Sequence, residues 1–190
     1  MDDRQPREPD LTPTADLVHE HEVVLRVVAA MEREAARIRA GEQLDGDGIE
    51  KMVRFTREFT DGCHHHKEEQ VLFPLLREKA PMAAGPVSVM LAEHDQGRAH
   101  VRAVADGLSA ASAGDADARD AVAAGLEGYA ALLRAHIAKE NKVLFPLAER
   151  ALRADDKARL AAEFDRVERE ETGEGVHETY HALAHELSGG

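Results

Sequence analysis

CHHHKEEQVLFPL at 63–75 and AHIAKENKVLFPL at 135–147 are one pattern written twice. His64 falls on His136, Lys67 on Lys139, Glu68 on Glu140, Phe73 on Phe145 and Pro74 on Pro146, each pair 72 residues apart. Upstream, Glu20-His21 pairs with Glu93-His94 at an offset of 73. A short motif followed by a long one, repeated in the same order, predicts that a pair of helices has been duplicated.

The apolar residues around these motifs recur with helical spacing, and no stretch alternates with period two as a strand would. Thr14 serves as N-cap of a first helix carrying Leu17, Val24, Val28, Met31, Ala35 and Ile38, which Gly41 stops. Asp47 begins a second, running to about Ala80 with a kink at Pro74. Pro86 opens a third with Val87, Met90, Val101, Val104 and Leu108; residues 109–117 read as a linker. A fourth runs from about Ala118 to Leu152 with Pro146 inside it. Asp155 or Asp156 caps a fifth (Leu160, Phe164, Val167), and 176–187 form a short sixth. Residues 1–13, with three prolines and scattered charge, read as a disordered arm. The expected architecture is all-α: an antiparallel up-and-down four-helix bundle over 14–152, with two short helices in 153–190 beside it or across one end.

Composition narrows the function. The 190 residues carry 24 Lys and Arg against 37 Asp and Glu, a formal charge of −13. Such a surface has no basic patch for the phosphates of nucleic acid or an anionic membrane. No apolar run approaches the roughly 20 residues that cross a bilayer. The polar, acidic N-terminus is not a secretory signal, and one cysteine, Cys63, fits a reducing compartment. These point to a cytoplasmic protein; a monomer or weak homodimer is expected, although no feature of the sequence sets the oligomeric state. With 4% aromatics and no Trp, the core is built from Leu, Val, Ala and a few Phe, and eleven histidines are left to explain.

Several of them interrupt the apolar seams. In the first helix the series 17, 21, 24, 28, 31, 35, 38 alternates steps of four and three, and position 21 is His21. The third helix runs 87, 90, 94, 97, 101, 104, 108, with His94 in the seam. The fourth runs Leu126, Tyr129, Leu133, His136, Glu140, Val143, Leu147. In the second, Val53, His64, Glu68, Val71 and Leu75 fall within about 60° at 100° per residue. Each of these six polar residues alone reads as a satisfied core group or a surface residue. Together they aim two carboxylates into one apolar interior, which is costly unless a metal neutralises them. The two-fold pattern suits two ions, with the His-x-x-x-Glu spacing setting both side chains on one helix face and each Glu bridging. Imidazole and carboxylate without thiolate favour iron, then manganese, then zinc. The Phe-Pro that follows supplies an apolar wall and a helix bend.

The residues resemble the hemerythrin family, in particular the bacterial hemerythrin-like cation-binding (HHE) proteins. The likeness rests on Glu20-His21-Glu22, on His64-x-x-x-Glu68-Glu69 before Val-Leu-Phe-Pro, on Glu93-His94, and on His136-x-x-x-Glu140 before Val-Leu-Phe-Pro, and covers about 14–152. It implies a four-helix bundle around two non-haem irons, oxo- or hydroxo-bridged and spanned by two carboxylates, that react with dioxygen, peroxide or nitric oxide. The chain departs from the oxygen carriers in two places. Where they have a second histidine four residues on in the third helix, Arg98 follows His94, and Glu140 stands four after His136 in place of an Asp at five.

The metal ligands are accordingly His21, His64, Glu68, His94, His136 and Glu140. A fifth imidazole would have to come from His65 or His100, each turned 100° or more from the ligand face, or Tyr180 or His181 of the tail would fill the position; otherwise it is open or holds water. An open site favours exchange and redox chemistry. The expected function is binding or reaction of small oxygen and nitrogen species with an unidentified electron donor, catalase- or peroxidase-like if it turns over. The alternative is an iron- or oxygen-sensing module with the tail helices as reporter. A ferritin-like oxidase ranks below both, because the core lacks Glu-x-x-His.

His177-Glu178-Thr179-Tyr180-His181 matches a zinc-protease pattern, yet only nine residues follow it, and His185 merely extends a histidine face. An amphipathic tail helix packing Val176, Tyr180, Leu183 and Leu187, or lying over the open bundle end, accounts for it. Cys63 reads as a small packed or half-exposed residue. His19, His66, Lys67 and Lys139 are expected in water. Glu20, Glu69 and Glu93 suit either imidazole N–H acceptors or surface ion pairs.

Overall fold

The computed structural model describes residues 12–172 and 176–189, and among them every regular element is helical. Of the arm expected at 1–13, residues 1–11 lie outside the described residues. α1 (Pro13–Arg39) opens on Thr12, whose side chain accepts from the Ala15 N–H, with Pro13 presetting φ in the first turn. Thr14, the expected cap, lies inside the helix and donates to Glu149. α1 stops before Gly41, whose φ of +80° is the left-handed conformation that costs glycine nothing.

α2 (residues 46–79) is capped by Asp45 and not Asp47, the carboxylate accepting from the Gly48 N–H at 3.0 Å. α3 (Ala84–Ser112) and α4 (residues 116–151) are joined by only 113–115, so the two helices together consume most of the expected linker. Ala and Ser sustain helix there until Gly114 turns it at φ +94°, and Asp115 then accepts from the Ala118 N–H at 2.8 Å. α5 is Ala154–Arg166 continued by Val167–Thr172, with Asp156 reaching back to the Arg153 N–H at 3.2 Å. α6 is Val176–Leu187.

The first four helices pack as one bundle, with α4 lying along both α1 and α3. α5 rests on α1 and the middle of α2, and α6 on α1 and the start of α2. The apolar interior is split in two. One half holds Val24, Val28, Phe55, Phe59, Leu126 and Leu133 with Tyr180 and Leu183 from α6. The other holds Leu17, Leu72, Phe73, Met90 and Leu144 with Leu160 and Phe164 from α5. Between Leu17 and Val24, Met90 and Val101, and Leu133 and Leu144, the buried residues include His21, His94, His136 and Glu140: a polar layer divides the two cores.

α3 and α4 approach closely at Gly125, where a Cβ would stand 2.6 Å from Val104 Cγ2 and 3.4 Å from the His100 carbonyl oxygen. Valine is stiff at χ1 and cannot swing aside. Gly125→Ala is expected to destabilise the protein by about 1–2 kcal/mol in urea unfolding, the overpacking outweighing the roughly 1 kcal/mol that alanine gains in a helix interior. A variant as stable as the parent would show that the contact yields.

Both copies of the repeat leave α-helical winding at the same point. Wider π-helical turns span Thr56–His65 and Glu68–Leu72 in α2, and Glu140–Leu144 in α4. The last two begin on the repeated glutamate and end just before Phe-Pro. Pro74 and Pro146 lack an N–H and would crowd the carbonyl four residues back, so the turn ahead of each widens. That turn takes in one extra residue and moves the apolar register by one. The buried positions are Leu72 and Leu76 in one copy and Leu144 and Ala148 in the other, not Val71, Leu75, Val143 and Leu147; Val143 is 53% exposed. Among the described residues no helix is long and apolar enough to cross a membrane.

Candidate metal centre

His21, His64, Glu68, His94, His136 and Glu140 are each at most 2% exposed and converge on the polar layer. His65 joins them. Two sets of ligand atoms, from His21, His64, Glu68 and Glu140 and from His65, Glu68, His94 and His136, each lie within 4.8 Å of one another and could hold a metal ion. Glu68 belongs to both: its Oε1 is 3.8 Å from His64 Nε2 and its Oε2 3.5 Å from His94 Nε2. Glu140 Oε2 lies 3.2 Å from both His21 Nε2 and His136 Nε2. Each carboxylate therefore faces one imidazole of each set.

His94 Nε2 and His136 Nε2 lie 3.1 Å from each other, and most of the other inward atoms are left without hydrogen-bond partners in the protein. His21 Nε2, His64 Nε2 and both oxygens of Glu68 and of Glu140 are buried and make no hydrogen bond. Such groups cost on the order of 1–3 kcal/mol apiece, more when charged. A cation would satisfy all of them at once, so the donor set fits a metal.

The electrostatics agree. Burial pushes the Glu68 carboxyl well above the usual carboxylate range, and the Glu140 carboxylate beside it adds to the effect. Glu140 is driven the opposite way: although burial opposes it, the His136 and His21 imidazoles hold it well below that range. Two carboxylates this close cannot both ionise without a cation. Burial lowers His64 to about 4 and His65 well below its ordinary value, which keeps both imidazoles neutral and able to donate lone pairs at pH 7. His136 is raised, with Glu140 and Glu93 outweighing its burial.

Each inward nitrogen is aimed by the opposite edge of its ring. His64 Nδ1–H donates to Glu20 at 2.7 Å, His94 to Glu69 at 2.7 Å, His136 to Glu93 at 2.9 Å, His65 to Asp61 at 3.4 Å and His21 to Asn141 at 2.8 Å. An acceptor on Nδ1 fixes the tautomer that leaves Nε2 free for a metal. Glu20, Glu69 and Glu93 thus act as imidazole acceptors. Asn141 occupies the repeat position of Glu69, a correspondence visible in the alignment. Arg98 donates to both Asp61 (2.8 Å) and Glu69 (2.6 Å), tying together the acceptors of His65 and His94. Phe145 stacks on His21 (5.5 Å) and Phe73 on His94 (5.9 Å), so the Phe-Pro motif does wall the layer.

Three expectations need correction. Of the fifth-imidazole candidates it is His65 that enters, stacked on His94 at 3.7 Å, because the π-helical stretch Thr56–His65 turns neighbouring positions less far apart than an α-helix does. His100 lies over Gly128, while Tyr180 packs on Phe55 and Phe59 with its hydroxyl on Glu58, and His181 sits against Phe59 and His19. None of those three belongs to either set. Second, Lys67 is not in water: it is 0% exposed and bonded to Glu20 and Glu168. Its repeat partner Lys139, bonded to Glu93, is 41% exposed. Third, His66 is half-buried. Cys63 is buried and His19 is 61% exposed. In the protease-like pattern Glu178 is exposed, and the side chain of His177 lies outside the described residues.

A cavity of about 210 Å³ reaches the layer at His65 and His94, walled by Gly97 and Tyr129, with Arg57 and Arg102 exposed at its rim. It is large enough for a small molecule to reach the imidazoles.

The hemerythrin HHE cation-binding domain model matches residues 12–148. An uncharacterized protein of Mycobacterium tuberculosis is 29% identical over 168 residues, which is 88% of this chain and 66% of that protein. Proteins named iron-sulfur cluster repair protein YtfE are similar over a shorter stretch: that of Yersinia pseudotuberculosis is 36% identical over 96 residues and that of Musicola paradisiaca 38% over 99, in each case 48% of this chain and 42% and 41% of theirs. The chain thus spans just under two thirds of the first relative and about two fifths of the others. No solved structure matches it.

Proposed function

This chain belongs to the hemerythrin HHE cation-binding family, and from that we propose that it holds two irons and binds or reacts with small oxygen and nitrogen species. Its first four helices would form the antiparallel up-and-down bundle of that reading. His21 and His64 would serve one ion and His65, His94 and His136 the other, with Glu68 and Glu140 shared. The observation that carries this is the placement of both carboxylates, each facing an imidazole of either set with no hydrogen-bond partner. Imidazole and carboxylate without thiolate favour iron over manganese and zinc, and the likeness to iron-sulfur cluster repair proteins supports iron.

A pair of irons would supply Lewis acidity and one-electron redox change. The chain does the rest. Glu20, Asp61, Glu69, Glu93 and Asn141 orient five imidazoles, Phe73 and Phe145 keep water from the ring faces, and the cavity beside His65 and His94 admits the small molecule.

The test is metal analysis and an absorption spectrum of protein purified from iron-replete cells. Two irons per chain and a near-ultraviolet band that shifts on adding azide or peroxide are expected. A colourless protein carrying a single zinc would overturn the reading. Peroxide consumption would identify turnover, and its absence would favour the sensing module.

A further inference from the structure

The repeat contains its own control experiment. Lys67 and Lys139 are equivalent, and each lies against the glutamate that accepts from an inward-facing imidazole: Glu20 on His64, Glu93 on His136. Their surroundings differ. Lys139 is 41% exposed and hydrated, whereas Lys67 is sealed, with α5 covering it. Phe164 lies 5.5 Å below the ammonium, and Glu168 Oε1 accepts from it at 2.9 Å. Both residues fall beyond the 12–148 matched by the family model.

A dry ammonium needs more than one acceptor, and Glu20 is already shared with His64. Glu168 supplies the second. Without it, Lys67 would draw Glu20 toward itself or admit water, and either loosens the acceptor that aims His64.

We propose that Lys67 and Glu168 are positioning residues that make α5 part of the metal centre, so that docking of residues 154–172 and retention of the ion at His21 and His64 reinforce each other. This rests on the two-ion reading above. Leu160, Phe164 and Val167 supply the apolar hold of α5, all at most 2% exposed, and the Glu168–Lys67–Glu20–His64 chain supplies the coupling. Coupling of this kind is reciprocal: whatever docking does for the ion, the ion does for docking.

The experiment uses the full chain loaded anaerobically with ferrous iron. Release into excess ferrous chelator is timed, and trypsin cleavage at Arg166 and Arg169 is compared with and without iron. The parent should release its irons in two phases, and iron should slow cleavage. In Glu168→Ala one phase should quicken about tenfold or more while the other stays put, the size expected when a group holding a ligand's acceptor is lost. Iron should then no longer protect α5. Glu168→Gln, which keeps an acceptor, should fall between, and it carries the comparison if the alanine variant fails to fold. Lys139→Ala should leave protection intact.

Parent-like release from a folded Glu168 variant, or equal acceleration of both phases, would refute the proposal. A parent that holds one ion and releases it in a single phase would sink the two-ion reading. Iron-dependent protection would still decide the coupling: lost in the variant, it stands; kept, it falls.

Discussion

Glu68→Ala should leave the purified protein unable to hold a pair of ions, and Glu140→Ala should do the same. Glu68 offers one oxygen toward each set of imidazoles, and Glu140 Oε2 lies 3.2 Å from one imidazole of each, so either truncation takes a donor from between the two proposed ion positions. The loss in affinity should exceed 100-fold, or about 3 kcal/mol, because even groups that only orient a ligand are worth 10–100-fold. The metal-free protein should respond with the opposite sign. There the buried Glu68 carboxyl is pushed far up by its surroundings and destabilises the fold at pH 7. Glu68→Gln keeps the shape and has no proton to take up on folding at pH 7, so it should raise the stability of the metal-free protein by about 1–3 kcal/mol, some 2–4 °C in Tm for each. Metal analysis and melting curves on loaded and stripped protein check both halves. Two irons retained by either alanine variant would remove the bridging assignment.

The second large effect concerns two lysines that the alignment makes equivalent. Lys67→Ala should cost about 3–5 kcal/mol, since it leaves Glu20 buried without its cation and uncovers the Phe164 ring. Lys139→Ala, at a site 41% exposed, should cost under about 1 kcal/mol. Lys67→Met keeps the stem but not the charge, so it should retain most of the loss. Urea unfolding of the three variants measures the contrast. Equal costs at 67 and 139 would mean that the buried ammonium is not paired as the geometry has it.

These two predictions differ in how far the sequence foretells them. His21, His64, Glu68, His94, His136 and Glu140 are legible because they replace apolar residues in helical seams, and periodicity is a local property of the chain. The helical class and the duplication follow from the same kind of signal. The register beyond the glutamates is not legible: angles counted at 100° per residue put Val71, Leu75, Val143 and Leu147 inside, and the proline-driven π turns put their neighbours there instead. His65 is legible only as one of several candidates set 100° or more off the ligand face, for a like reason: its ring is carried in by a winding that the periodicity does not announce.

The order of side chains along the chain was therefore enough to turn six of the polar groups inward, because a helix repeats itself and each group's direction depends on its own turn. What surrounds those groups depended on contacts between distant segments. Asn141 on His21, Arg98 joining Asp61 to Glu69, and Glu168 sealing Lys67 become partners only when the helices pack. The same Lys-x-x-x-x-x-Phe-Pro pattern thus yields one hydrated lysine and one buried one, and the deciding fact is that α5 lies across a single copy.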